Sequence, residues 1–194
     1  MLRMTFPTVA FLGLALASAA SAAPGNPQWQ ITITDLGVLP GNIGSSAYAI
    51  NDTGKIVGTS SGGIGLKTVQ WVNGTISVLP VFSQSAGSIP EDMNDAGEIA
   101  GTLAIGGQND GIYWDAQNNA FKLDGLPGAV GSFVVAHGIN ASGLIVGRAQ
   151  EGSPNLYGHA SIWNKSTFQT DMGFMSGGTY SEAYGINDAG VDAC

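Results

Sequence analysis

Charge is scarce in this chain. Of 194 residues, six are Lys or Arg and 14 are Asp or Glu, so charged residues make up 10%, against roughly 25% in ordinary globular domains. A charged helical bundle, a coiled coil and a highly charged disordered tail are thereby excluded. Six basic residues and a net charge of −8 also exclude a nucleic-acid surface, which needs a basic face. Cysteine is nearly absent. Cys194 is the single one and the final residue, so no disulfide framework can form within the chain. Histidine is limited to His137 and His159, with no His-Glu-x-x-His motif, and the turns lack the alternating Asp/Asn pattern of calcium loops. Neither a metal site nor a cofactor is expected. Glycine, in contrast, is abundant: 30 residues, about twice the usual share of ~7%.

Long apolar runs are also missing after the first 17 residues. Arg3 precedes the run Val9-Ala10-Phe11-Leu12-Gly13-Leu14-Ala15-Leu16-Ala17, and Ala20-Ser21-Ala22 follows with a small-x-small pattern. These are the three parts of a secretory signal. The run is too short for a membrane anchor, which needs about 20 apolar residues. Residues 1–22 are therefore expected to be a cleaved signal peptide, with a mature domain at 23–194 that is secreted or periplasmic and has no transmembrane segment.

An internal repeat organises the rest. Asn51-Asp52-Thr53-Gly54 recurs as Asn94-Asp95-Ala96-Gly97, Asn140-Ala141-Ser142-Gly143 and Asn187-Asp188-Ala189-Gly190, at spacings of 43, 46 and 47 residues. An apolar pair and a glycine follow the first three: Ile56-Val57-Gly58, Ile99-Ala100-Gly101 and Ile145-Val146-Gly147. Then comes a tryptophan, Trp71, Trp114 or Trp163. Leucine-proline pairs punctuate the units at Leu39-Pro40, Leu79-Pro80 and Leu126-Pro127. Thr34–Gly54 aligns without gaps on Thr170–Gly190, with 11 of 21 positions identical. Such periods are the mark of repeat architectures.

Each unit converts to strands. In the first, Ser46–Ile50 reads as a strand and Asn-Asp-x-Gly as a tight hairpin turn, with the glycine accepting a left-handed conformation. Lys55–Ser60 is a second strand, Thr68–Val72 a third, Asn73-Gly74 a strong hairpin signal, and Thr75–Leu79 a fourth strand that Pro80 stops. No helical period appears outside the signal. Four short antiparallel strands in about 45 residues is the plan of a propeller blade. The expected fold is all-β, a propeller-like array of four-stranded antiparallel blades, with repeats at about 46–86, 87–132 and 133–180 and a partial one at 181–194. A fourth-type strand is expected at Gln30–Leu39, ahead of the first unit. The pattern stops in mid-hairpin after Gly190, as in a truncated array, and Cys194 is discounted for that reason. The tryptophans are expected to pack between blades.

The Asp-Leu-Gly, Ala-Tyr-x-Ile-Asn-Asp-x-Gly and Ile-Val-Gly segments, together with His159-Ala160-Ser161-Ile162-Trp163, resemble the extracellular HAF repeats, named for a His-Ala-Phe motif that has Ser161 here in place of Phe. The resemblance covers about residues 31–190. It implies a bacterial exported repeat protein and carries no catalytic residues with it. Gly62-Gly63 and Gly106-Gly107, each followed by a tryptophan, are similar to kelch blades at looser spacing.

Motifs of catalysis are weak. Gly58-Thr59-Ser60-Ser61-Gly62 matches G-x-S-x-G, and Gly63–Thr68 loosely resembles a phosphate loop, but neither opens a helix. Asn-x-Ser/Thr triplets at Asn51, Asn73, Asn140 and Asn164 follow from turn composition. The acidic patch Glu91, Asp92, Asp95 and Glu98 reads as a solvated hairpin rim. One position stands out. Three residues before each turn asparagine are Tyr48, Glu91, His137 and Tyr184. On innermost strands they would converge toward one axis and contact a ligand. No catalytic residue is assigned. The expected role is a non-catalytic secreted or surface scaffold that binds a protein or glycan partner through loops. The alternative is an extracellular propeller hydrolase or lyase acting on glycans, with Glu91 and His137 as acid and base.

Overall fold

A computed structural model of the chain describes residues 31–82, 85–105, 108–128, 133–152, 157–190 and 192–193. Residues 1–22, where a signal peptide is expected, the pair Gly106-Gly107, Val191 and Cys194 lie outside the described residues. The chain divides after Leu36, and residues 31–36 of the first unit carry no strand or helix.

The second unit is built from hairpins. The first sheet contains β1 (Asn42–Ile50), β2 (Ile56–Gly62), β3 (Lys67–Val72) and β4 (Thr75–Val78). The second contains β5 (Ser85–Met93), β6 (Ile99–Ile105), β7 (Gln108–Trp114) and β8 (Ala120–Lys122). The third contains β9 (Val134–Ile139), β10 (Leu144–Gln150), β11 (Gly158–Asn164) and β12 (Thr167–Gly173). Within each, the strands follow chain order and every neighbour is antiparallel. A two-stranded hairpin, β13 (Gly185–Ile186) with β14 (Asp192–Ala193), closes the list of elements. The architecture is all-β, with no helix among the described residues; none is therefore long and apolar enough to cross a membrane.

The repeated turn has one construction. The asparagine N–H donates to the carbonyl four residues on, at 3.1 Å from Asn51, 3.0 Å from Asn94 and 3.0 Å from Asn140. The glycine N–H returns to the asparagine carbonyl, at 2.9–3.0 Å in all four copies. That path needs φ of +78° at Gly54, +83° at Gly97, +82° at Gly143 and +78° at Gly190, a left-handed region that side chains with a Cβ enter only at a cost. The asparagine Oδ1 accepts the N–H of the residue four on: Lys55, Glu98 and Leu144, each at 3.0 Å.

The other end of each asparagine side chain joins one sheet to the next. Asn51 Nδ2 donates to the Asn94 carbonyl at 3.4 Å, Asn94 Nδ2 to that of Asn140 at 3.0 Å, and Asn140 Nδ2 to that of Asn187 at 3.2 Å. A second row runs beside this ladder. The Asp52 N–H donates to Asp95 Oδ1, and the Ala141 N–H to Asp188 Oδ1, both at 2.9 Å. The rung between Asp95 and position 141 is missing because Ala141 has no side-chain acceptor. The turn motif thus does two jobs, and its period of 43 to 47 residues is the step from sheet to sheet.

Apolar packing follows the same step. Val57 and Leu79 of the first repeat cluster with Met93, Ile99, Leu103, Ile112 and Trp114 of the second repeat. Ala100, Tyr113, Leu123 and Leu126 cluster with Val134, Ala136, Ile139, Ile145, Ala149 and Trp163 of the third. Burying each large side chain is worth about 1.5–3 kcal/mol. The first strand of each later sheet lies on the preceding sheet. Trp71, Trp114 and Trp163 are buried, as expected. Trp114 Nε1 donates to the Pro80 carbonyl at 2.6 Å and Trp163 Nε1 to that of Asp124 at 2.7 Å, which pins the connecting segments. The Trp71 indole N–H is buried and has no acceptor among the described residues.

Three expectations need correction. The fourth-type strand expected at Gln30–Leu39 is absent over residues 31–39, and Gln30 lies outside the described residues; Leu39 instead donates its N–H to Ser60 Oγ at 3.2 Å. The first strand begins at Asn42 rather than Ser46, because the Asn42 side chain is buried and bonds Ser60 Oγ and the Gly65 carbonyl. The acidic patch is not uniformly a solvated rim. Glu98 is buried, and Asp92 Oδ2 accepts the Ile139 N–H across the sheets at 3.0 Å.

Candidate functional site

Three of the four residues singled out three places before each turn share a local structure; the fourth, Tyr184, precedes β13 and lies in no strand. Pairing of β1 with β2 skips Tyr48, pairing of β5 with β6 skips Glu91, and pairing of β9 with β10 skips His137. Each is the extra residue of a β-bulge, a device that re-aims a side chain out of the ladder. The repeated glycine explains how the bulge fits. A Cβ on Gly58 would stand 2.0 Å from the Ser46 carbonyl oxygen, on Gly101 2.3 Å from that of Ile89, and on Gly147 2.0 Å from that of Val135. No side chain tolerates such an approach, so the apolar pair must be followed by glycine.

Two of the bulge residues, Glu91 and His137, lie near each other, and Tyr184 joins them. The His137 ring stacks on Tyr184, with centroids 4.9 Å apart at 25°. Glu91 is half-buried; desolvation raises its carboxyl above the ordinary value, and the nearby His137 pulls it partly back. Tyr48 lies on β1, which packs on β5, and is itself exposed.

The centre of the cluster is a residue the sequence reading missed, Glu182. His137 Nε2 lies 2.8 Å from Glu182 Oε1; an ionised carboxylate only accepts, so the ring carries its proton on Nε2 in this contact. Arg148 Nε approaches the same oxygen at 3.3 Å. On Oε2, Tyr184 Oη donates at 2.9 Å and Tyr180 Oη donates as well. Burial works against the charge on Glu182, but the bonds from Tyr180, His137 and Tyr184 and the Arg148 charge outweigh it and hold the carboxyl at about 2. The Arg148 guanidinium is sandwiched between rings, 4.9 Å from Phe133 and 5.3 Å from Tyr180. Tyr180 and Tyr184 remain more than half exposed. The surface so formed has exposed rings on an ordered base of charge. Glu182 was detectable only by alignment of the units. It replaces Ser46, Ile89 and Val135, the residues whose carbonyls face the repeated glycines.

Two other groupings exist. Beside the seam of the second and third sheets is a cleft of about 490 Å3 lined by Glu98, Tyr113, Asp115, Gln117, Phe121 and Lys165, among others. Glu98 Oε1 accepts from Tyr113 Oη at 2.6 Å and from Lys165 Nζ at 3.2 Å, and Oε2 accepts from Asn94 Nδ2 at 2.9 Å. Burial pushes the Glu98 carboxyl up, but these bonds leave it below its ordinary value. Burial, and then the bond to Glu98, pushes the Tyr113 hydroxyl well up. This group ties turn to turn. The second grouping is His159, with Nδ1 2.8 Å from Asp171 Oδ1 and Nε2 3.6 Å from Glu151 Oε1. His137 and His159 are thus held in separate carboxylate contacts. No group of three or more metal-ligating side chains occurs among the described residues. Ser60 of the G-x-S-x-G match is buried on β2 and held by Leu39, Asn42 and Gly44, with no histidine among its partners.

No protein-family model matches the chain, and no curated protein matches it.

Proposed function

We propose that this is an exported, non-catalytic repeat scaffold of the HAF type, whose sheets are blades of a propeller-like array and which binds a glycan through the bulge surface. The reading rests chiefly on one observation: exposed Tyr180 and Tyr184 are fixed by hydroxyl bonds to the carboxylate of Glu182, whose side chain is 8% exposed. Rings held rigid lose little conformational freedom on binding and offer apolar faces beside polar groups. A saccharide presents the complement, C–H faces for the rings and hydroxyls for Glu91 and His137. The bulge positions recur at the blade step, which favours an extended ligand. Stacking of each first strand on the preceding sheet supports the blade arrangement, and the three-part pattern of residues 1–22 supports export.

The test is calorimetric titration of the full chain with a panel of soluble polysaccharides, compared with Tyr184→Ala. Binding that weakens at least tenfold in the variant supports the proposal. Heatless titrations throughout, or equal affinity in the variant, reject it. A second reading, a glycan hydrolase or lyase, draws on the raised carboxyl of Glu91 beside His137, the protonation expected of a general acid. Reducing-end release that disappears in Glu91→Ala and His137→Ala would establish that reading; release unchanged in both would dismiss it.

A further inference from the structure

We infer that the outer face of the first sheet is a docking surface for a second copy of this chain, which seats its Asn187–Gly190 hairpin there head to tail. Three sets of equivalent residues carry the inference. Met93 and Ile139, one place before their turn asparagines, are buried against the preceding sheet at 6% and 5% exposure, whereas Ile50 at the same place is 66% exposed. Pro90, Ala136 and Ala183 are buried, whereas Ala47 is exposed. Ser88 and Val134 are buried, whereas Ser45 is exposed. The positions that form the sheet-to-sheet interface in later repeats are therefore all present on β1 and uncovered.

The polar ladder says the same. Asp95 and Asp188 each accept a main-chain N–H from the turn before them. Asp52 holds the equivalent carboxylate, exposed and with no hydrogen bond or ion pair among the described residues. The carbonyls of Asn94, Asn140 and Asn187 each accept the preceding asparagine's Nδ2 in addition to the turn's own glycine N–H. Among the described residues the Asn51 carbonyl has the glycine bond alone. The occupant must thus bring an asparagine amide and a turn N–H at the blade step, beside an apolar strand. A second copy carries that turn in Asn187-Asp188-Ala189-Gly190, preceded by a segment 11 of 21 positions identical to Thr34–Gly54. The contact would continue an interface the chain already makes with itself at each internal seam. Because it joins unlike surfaces, it forms rings or open chains rather than a two-fold pair.

Sedimentation of the full chain over a wide concentration range is the test, with Ile50→Glu and Asp52→Ala alongside. Wild type should associate. Ile50→Glu should raise the dissociation constant at least tenfold, and Asp52→Ala roughly fivefold, the worth of one hydrogen bond. Both substitutions are at exposed side chains and should leave the circular dichroism and unfolding midpoint unchanged. Labelled Ile50→Glu should still bind wild type, since its hairpin is intact. A wild type that stays monomeric, an Ile50→Glu variant that self-associates like wild type, or an Ile50→Glu variant that wild type excludes would each overturn the inference.

Discussion

Removal of the Asn94 side chain tests the turn ladder at its best-connected rung. The amide is buried and makes three bonds: Oδ1 to the Glu98 N–H at 3.0 Å, Nδ2 to Glu98 Oε2 at 2.9 Å, and Nδ2 to the Asn140 carbonyl at 3.0 Å. Two are neutral, worth about 1 kcal/mol each, and one is to a carboxylate, worth about 1.5–3 kcal/mol. Asn94→Ala should therefore cost about 3.5–5 kcal/mol, reduced where water reaches the vacated groups. Asn51→Ala is the internal comparison. Its inter-sheet bond is long at 3.4 Å, it meets no carboxylate, and its Thr53 partner sits on an exposed turn. A loss of about 2 kcal/mol is expected there. Urea unfolding followed by the emission of the buried tryptophans reads both. Since repeat arrays hold together by neighbour interfaces, the Asn94 variant should also lower the slope or split the transition. A loss below about 1 kcal/mol at Asn94, or a larger loss at Asn51 than at Asn94, would refute the assignment of the ladder as the polar seam.

Three further outcomes are expected. Gly101→Ala drives a Cβ to 2.3 Å from a backbone carbonyl and should abolish the β5 bulge and prevent recovery of folded protein, whereas Gly54→Ala, in open space at φ +78°, should cost only about 1–2 kcal/mol; equal effects in thermal melts would contradict the bulge account. Ala141→Asp supplies the missing acceptor for the Asp95 N–H and should raise the melting temperature in moderate salt, where repulsion within the aspartate row is screened; a lower melting temperature at every salt concentration would speak against it. Glu182 is held at about 2 from an ordinary 4.5. A depressed carboxylate contributes stability that is full above the unfolded value and is lost as the pH falls toward the folded one. Wild type should therefore weaken between about pH 5 and pH 2, and Glu182→Gln should flatten that part of the denaturation profile; an unchanged profile would contradict the four-donor cage.

Much of the fold was legible because it is local. The Asn-x-x-Gly spacing, the Asn73-Gly74 pair and the strand runs around them state backbone requirements that hold whatever surrounds them. The burial of Trp71, Trp114 and Trp163 followed from the same period. The site was legible only in part. Tyr48, Glu91 and His137 could be aligned as equivalents, but their shared bulge depends on a register shift that no single strand reveals. Glu182 was overlooked because a glutamate in a loop reads as solvent-facing. Only the approach of His137 and Arg148, 45 and 34 residues away in sequence, beside the adjacent Tyr180 and Tyr184, makes it an anchor. Glu98 was misjudged for a similar reason, since Tyr113 and Lys165 reach it from two different sheets.

The amino-acid order by itself determined an all-β chain of repeated hairpins, because turn geometry and strand alternation are properties of a few consecutive residues. Which side of each sheet is covered, which turn amide meets which carbonyl, and which of four equivalent residues gain charged neighbours were decided only by tertiary structure. Those outcomes depend on contacts across forty or more residues, where the energy of a side chain is set by what the next sheet places against it.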